Sequence, residues 1–249
     1  MLIFLLSAVL ALAGCSKDSA PLSIGGSQAD SSGGYKPAGT GSIDLERLQG
    51  MYYGFSPDYD GSECGGMCWN IYTFLPDQKV VVDAPPSGGP ETIDCGDGSC
   101  QTYKIENGQL IIEGEEAPLG IETADGKLLI DEVELQPVEP VQDGLTLDQN
   151  YTHEGFSGLV GISAGSSSWT ETLTLRPDGT YEGDDFMIGS VEGGDKTSGA
   201  AGGASTGTYR IGGNTIEFTD ANGETTSELF FIQAEDDSIQ VGDRNFWIE

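Results

Sequence analysis

The sequence predicts an all-β fold made of two tandem, small antiparallel meander barrels. Three observations lead there. Short stretches alternate apolar and polar residues with a period of two. The residues between them are the Asn, Asp and Gly that tight turns need. A pattern in the first half returns in the second at a spacing of about 100 residues.

The alternation is clear in Thr102-Tyr103-Lys104-Ile105, in Thr172-Leu173-Thr174-Leu175 and in Thr208-Tyr209-Arg210-Ile211. Such stretches read as half-buried antiparallel strands. Turns are expected at Pro76–Lys79, Glu106–Gly108 and Ala124–Gly126 in the first half. In the second half they are expected at Pro177–Gly179, Gly212–Asn214 and Glu235–Asp237. Asn, Asp and Gly tolerate the positive φ angles of hairpin corners.

The repeat is seen in six places in the same order. Gly54-Phe55-Ser56 returns as Gly155-Phe156-Ser157, and Trp69 as Trp169. Phe74-Leu75-Pro76-Asp77 returns as Leu175-Arg176-Pro177-Asp178, and Tyr103 with Ile105 as Tyr209 with Ile211. Leu110 with Ile112 matches Ile216 with Phe218, and Leu128 with Ile130 matches Ile239 with Val241. The chain therefore divides into residues 1–14, 15–43, 44–140 and 141–249, the last two being the β domains.

In a meander, successive connections alternate between the two ends. The tight turns of each copy then gather at one end. Longer loops at 56–68, 84–100 and 113–118, and at 157–168, 185–206 and 219–227, gather at the other. A ligand would enter at that loop-rich mouth. The alternative is an interior filled by side chains, which eight strands can just enclose. The Pro-rich first-copy loop is expected to be stiff, and its Gly-, Ala- and Ser-rich counterpart around 190–206 mobile.

The N-terminus adds a compartment. Residues 1–14 carry no charged side chain, and their apolar run is shorter than the about 20 residues that span a bilayer. It reads as the core of a secretory signal. Its end, Leu12-Ala13-Gly14-Cys15, resembles a bacterial lipobox. That resemblance implies cleavage before Cys15, lipidation of Cys15, and a protein anchored in the cell envelope. Ser16 after the cysteine points to the outer membrane or cell surface by the same rule. Residues 16–43 are rich in Gly, Ser, Ala and Asp and read as a disordered tether.

The β copies resemble the lipocalin-like domains of bacterial lipoproteins. The resemblance rests on Gly54-Phe55 and Gly155-Phe156, on the Pro-Asp hairpins, and on Gly207-Thr208-Tyr209-Arg210-Ile211-Gly212-Gly213-Asn214-Thr215-Ile216. It covers about residues 46–249, and it implies a barrel without implying an activity.

Four cysteines remain besides Cys15. They form Cys64-Gly-Gly-Met-Cys68 and Cys95-Gly-Asp-Gly-Ser-Cys100, and outside the cytoplasm they are expected to form disulfides. Local pairs and bridges between the two loops are both sterically open, with local pairs favoured. Their spacing does not suit structural zinc or a redox pair. Some envelope-stress lipoproteins do carry cysteine pairs, so copper or zinc sensing through these loops, with Asp94 and Asp97, is the alternative function. Asp58, Asp60 and Glu63 are weak calcium candidates, without EF-hand spacing.

No catalytic set stands out. His153, the one histidine, is expected to be exposed and without a role. A carboxylate-dependent hydrolase is the second alternative, because the chain has 41 acidic residues. Against them stand 10 basic residues, for a net charge of −31. Such a body repels nucleic acid and anionic headgroups. The expectation is a monomeric, non-enzymatic envelope protein. It would be anchored to the membrane by N-terminal lipid and bind a small apolar ligand or a protein without a cofactor.

Overall fold

In a computed structural model of the chain, the described residues are 35–38, 43–58, 67–85, 87–157, 167–184, 186, 204–234 and 237–248. Cys15, Asp60, Glu63, Cys64 and most of the 185–206 loop lie outside them, and so do the expectations attached to those residues.

The strands form two closed antiparallel barrels of eight strands each, in simple up-and-down order. The first contains β1 (Gly50–Pro57), β2 (Met67–Leu75), β3 (Lys79–Val82), β4 (Gln101–Glu106), β5 (Gln109–Ile112), β6 (Leu119–Ala124), β7 (Lys127–Ile130) and β8 (Val133–Pro137). The second contains β9 (Gln149–Ser157), β10 (Ser167–Leu175), β11 (Thr180–Asp184), β12 (Ser205–Gly212), β13 (Thr215–Asp220), β14 (Thr225–Ile232), β15 (Ile239–Val241) and β16 (Arg244–Ile248). Closure pairs Tyr53 with Gln136 in the first barrel and Trp247 with Thr152 in the second. Closure removes the unpaired edges that would otherwise recruit other chains.

The alternation read from the sequence sorts inside from outside. Tyr52, Phe74, Tyr103, Leu110, Leu128 and Leu135 fill the first interior. Leu173, Tyr181, Phe218, Phe230 and Phe246 fill the second. Each large apolar side chain removed from water contributes about 1.5–3 kcal/mol. Each barrel is therefore built around an apolar core.

The segment before each barrel closes its tight-turn end. Tyr103 donates its hydroxyl to the Leu48 carbonyl at 3.2 Å, and Tyr209 donates to the Leu147 carbonyl at the same distance. Ala38 and Ile43 pack on the first core, and Tyr35 packs beside Leu75 and Val81. The tether expected over 16–43 is thus docked at its C-terminal part. Gly50 makes room, since a Cβ there would lie 2.3 Å from the Ala38 nitrogen.

Two loop expectations are corrected. The connection between Asp220 and Thr225 is a short Asx turn, with Asp220 Oδ1 accepting from the Asn222 and Glu224 amides, and not a long mouth loop. The connection from Ile232 to Ile239 is longer than the tight turn expected there. The 84–100 loop starts at the expected end, but it folds back over the outer wall. Ile93, Cys95 and Cys100 cover Leu75 and Val81, because those outward-facing apolar side chains need cover.

The barrels also share a core. Met51, Tyr53, Ile71 and Val138 of the first barrel and its exit pack against Leu229 and Phe231 of the second. These side chains point outward, since their neighbours Tyr52, Tyr72 and Phe230 point inward. Glu91 adds a polar clasp, its Oε1 accepting from the Asn214 amide at 3.0 Å and the Thr215 hydroxyl at 2.6 Å.

Candidate functional site

Cys95 and Cys100 form a disulfide, the local pairing favoured from the sequence. Cys68 is disulfide-bonded as well. Oxidised sulfur gives no thiolate, so these three side chains are not metal ligands in this state. Asp94 caps the short turn at Cys95 by accepting from the Gly96 amide at 2.9 Å. Asp58 is buried beside β1. Among the described residues no three His, Cys, Asp or Glu side chains gather closely enough to hold a metal ion.

His153 is buried, against the expectation of an exposed side chain. Its strand position shares the inward face with Tyr151, and its ring lies 5.4 Å from that of Phe246. Its Nδ1 donates to the Asn245 carbonyl at 2.8 Å, which sets the tautomer.

Next to it lies a buried ion pair. Arg244 Nη1 meets Glu171 Oε2 at 2.7 Å, with side-chain exposures of 6% and 0%. The guanidinium also sits 5.2 Å from the Phe186 ring centre and 5.9 Å from that of Phe246. Trp169 donates its indole N–H to Glu171 at 3.2 Å. The indole covers Gly155, where a Cβ would fall 2.1 Å from the ring. The cluster lies within the second barrel, and Phe186 packs in the same core.

Among the described residues, an open site lies on the outside of the first barrel, along the seam. A groove of about 630 Å³ runs over β1 and β8, with Tyr53, Phe55 and Pro57 among its apolar lining. Asp131, Glu132 and Glu134 line it on the β8 side, and Gln233 of the second barrel also borders it. Phe55 is 51% exposed, and Met67 at the start of β2 is 53% exposed. An aromatic ladder leads from the groove into the shared core. Phe55 meets Trp69 edge-on at 5.7 Å, Trp69 stacks on Tyr53 at 6.3 Å, and Tyr53 meets Phe231 at 4.7 Å.

The charges at the groove are unequal. Lys127 Nζ is held by Glu134 at 2.7 Å, and among the described residues Asp131 and Glu132 have no ion-pair partner. These two form the β7–β8 corner, with φ of 49° and 70°. The corners Asn107-Gly108 and Asp125-Gly126 each place a glycine at one of these positive φ values. Two non-glycine residues in this region cost about 1–2 kcal/mol each. The Gln233 Nε2 is shielded from solvent and has no hydrogen-bond partner.

Sequence reasoning missed this groove because it looked for a mouth at the barrel ends. The signal was the two-sided apolar run Met51-Tyr52-Tyr53 and its counterpart Leu229-Phe230-Phe231-Ile232, which break the inside–outside alternation. Strands covered on both faces read that way. Neither a family model, a curated protein nor a solved structure matches the chain.

Proposed function

We propose that this chain is a lipid-anchored protein of the bacterial cell envelope, with its two-barrel body acting as a binding module rather than an enzyme. The Leu12-Ala13-Gly14-Cys15 run and the polar segment after it support the anchor. The single observation that carries the binding reading is the seam groove. It combines exposed aromatic surface with polar groups at a volume of about 630 Å³, within the range of ligand sites. The buried apolar side chains in both barrel cores are consistent with recognition on this outer surface.

Two measurements test the proposal. Cells expressing the full chain should incorporate labelled palmitate into it, and Cys15→Ala should abolish this; labelling that survives the substitution removes the anchor. For the body, Phe55→Ala should reduce capture of ligand from the organism's envelope extract without lowering thermal stability. Unchanged capture would move recognition away from the groove.

A further inference from the structure

We infer that the seam groove takes a basic peptide segment, with lysine or arginine side chains over Phe55 and their charges at Asp131 and Glu132. This rests on the reading of the groove as the recognition surface and names the chemistry of its occupant. Three observations choose it.

The first is charge. The groove presents two carboxylates beyond the Lys127–Glu134 pair, on a body of net charge −31. Such a field draws cations in and raises their encounter rate. An acidic ligand would meet repulsion from both sources.

The second is the aromatic lining. Phe55, backed by Trp69, gives an apolar face on which the methylene stem of Lys or the plane of Arg can lie, while the charged end reaches the carboxylates. A bare inorganic cation makes no use of such a surface.

The third is the Gln233 Nε2, a buried donor with no partner at the groove. Protein atoms cover it, and a turn of the amide would bring it to an acceptor oxygen on the occupant. A backbone carbonyl supplies one. A polyamine has the charge and the methylenes but no acceptor, and a neutral sugar has acceptors but no cation. A peptide carrying Lys or Arg has all three.

The test uses the full chain after Cys15→Ser, to keep it free of lipid. Binding of the fluorescein-labelled pentapeptide Lys-Leu-Lys-Val-Lys is followed by anisotropy. Parallel arms use Glu-Leu-Glu-Val-Glu, the acetyl-lysine form of the basic peptide, and spermine. Saturable binding of the basic peptide alone is expected. Phe55→Ala should weaken it about tenfold, as for an aromatic anchor. Asp131→Asn with Glu132→Gln should weaken it similarly and flatten its salt dependence.

The exposed pair Asp148→Asn with Glu154→Gln removes equal charge elsewhere and should have little effect. Equal loss in this control would mean that net charge alone binds the peptide, and would overturn the inference. So would spermine binding as tightly as the peptide. Phe55-dependent binding of the acetylated or acidic peptide would keep the groove as a recognition surface and overturn its preference for cations. Absence of any Phe55-dependent binding would remove both. Gln233→Glu, which exchanges the donor for an acceptor, should weaken the basic peptide although it adds negative charge. Tighter binding would contradict the role given to that donor.

Discussion

Trp69 of the first barrel donates its indole N–H to the side-chain oxygen of Asn245 in the second, at 3.3 Å. The carbonyl of the same Asn245 accepts from His153 Nδ1 inside the second barrel. One residue therefore joins the surface of one barrel to the core of the other. With the shared apolar cluster below it, this makes the barrels one cooperative unit. Calorimetry should show a single unfolding transition. Phe231→Ala removes a fully buried ring from the shared cluster, and should cost about 3–5 kcal/mol and split the transition in two. Two separate transitions in the unaltered protein would show that the barrels fold independently.

The Glu171–Arg244 pair should behave as a costly but matched pair. Arg244→Met leaves Glu171 charged in a fully buried position, and should destabilise by about 3–5 kcal/mol. Adding Glu171→Leu should recover most of that loss. Urea unfolding of the two single variants and the double variant measures it. A double variant no more stable than the worse single one would mean that the pair stabilises beyond its packing.

Gly155 is fixed by Trp169 rather than by its own backbone. An added methyl group meets the indole, so Gly155→Ala should cost about 1–3 kcal/mol through overpacking. The indole must swing away from Glu171, and the tryptophan emission should shift to the red. In Trp169→Ala the second change at Gly155 should cost much less. An additive double variant would separate the two positions.

Alkali should unfold the body over a defined window. Burial pushes the hydroxyls of Tyr52, Tyr72 and Tyr151 up to about 12. The folded state therefore holds these phenols neutral more strongly than the unfolded chain, whose tyrosines titrate near 10. Their contribution is complete below about pH 10 and is lost as pH rises towards about 12. Absorbance at 295 nm should show these three groups titrating late, together with loss of the fold. A single titration step near 10, with the fold intact, would contradict their burial.

The fold was legible because strands such as Thr102–Ile105 and Thr208–Ile211 alternate and several turns carry Asn-Gly or Asp-Gly. Tyr103 and Tyr209, matched from the sequence, occupy equivalent strands and make equivalent bonds to the segments before their barrels. Trp69 and Trp169, matched by the same pattern, lie on equivalent strands but on opposite faces. The spacing between copies slips by one residue between the glycines of the first strand and the tryptophans of the second. Trp69 pairs with Phe55 on the outer face, and Trp169 pairs with Gly155 on the inner face. A slip of one residue turns a side chain through the sheet. No composition or motif reveals that, and the seam groove depends on it. His153 was misplaced for a related reason. One polar residue near a strand start reads as exposed unless its strand register is known.

The outward face that carries Met51, Tyr53, Trp69 and Ile71 in the first barrel carries Thr152, Glu154, Thr170 and Thr172 at the matching positions of the second. Likewise the partner face, Leu229 and Phe231 on β14, has Gly120 and Glu122 on the matching strand β6. A head-to-tail contact between repeated units has no natural end and builds a fibre if each unit keeps both complementary faces. Here each copy presents one of the two apolar faces and has polar residues or glycine at the other. The aromatic surface is thus covered inside one molecule instead of propagating between molecules.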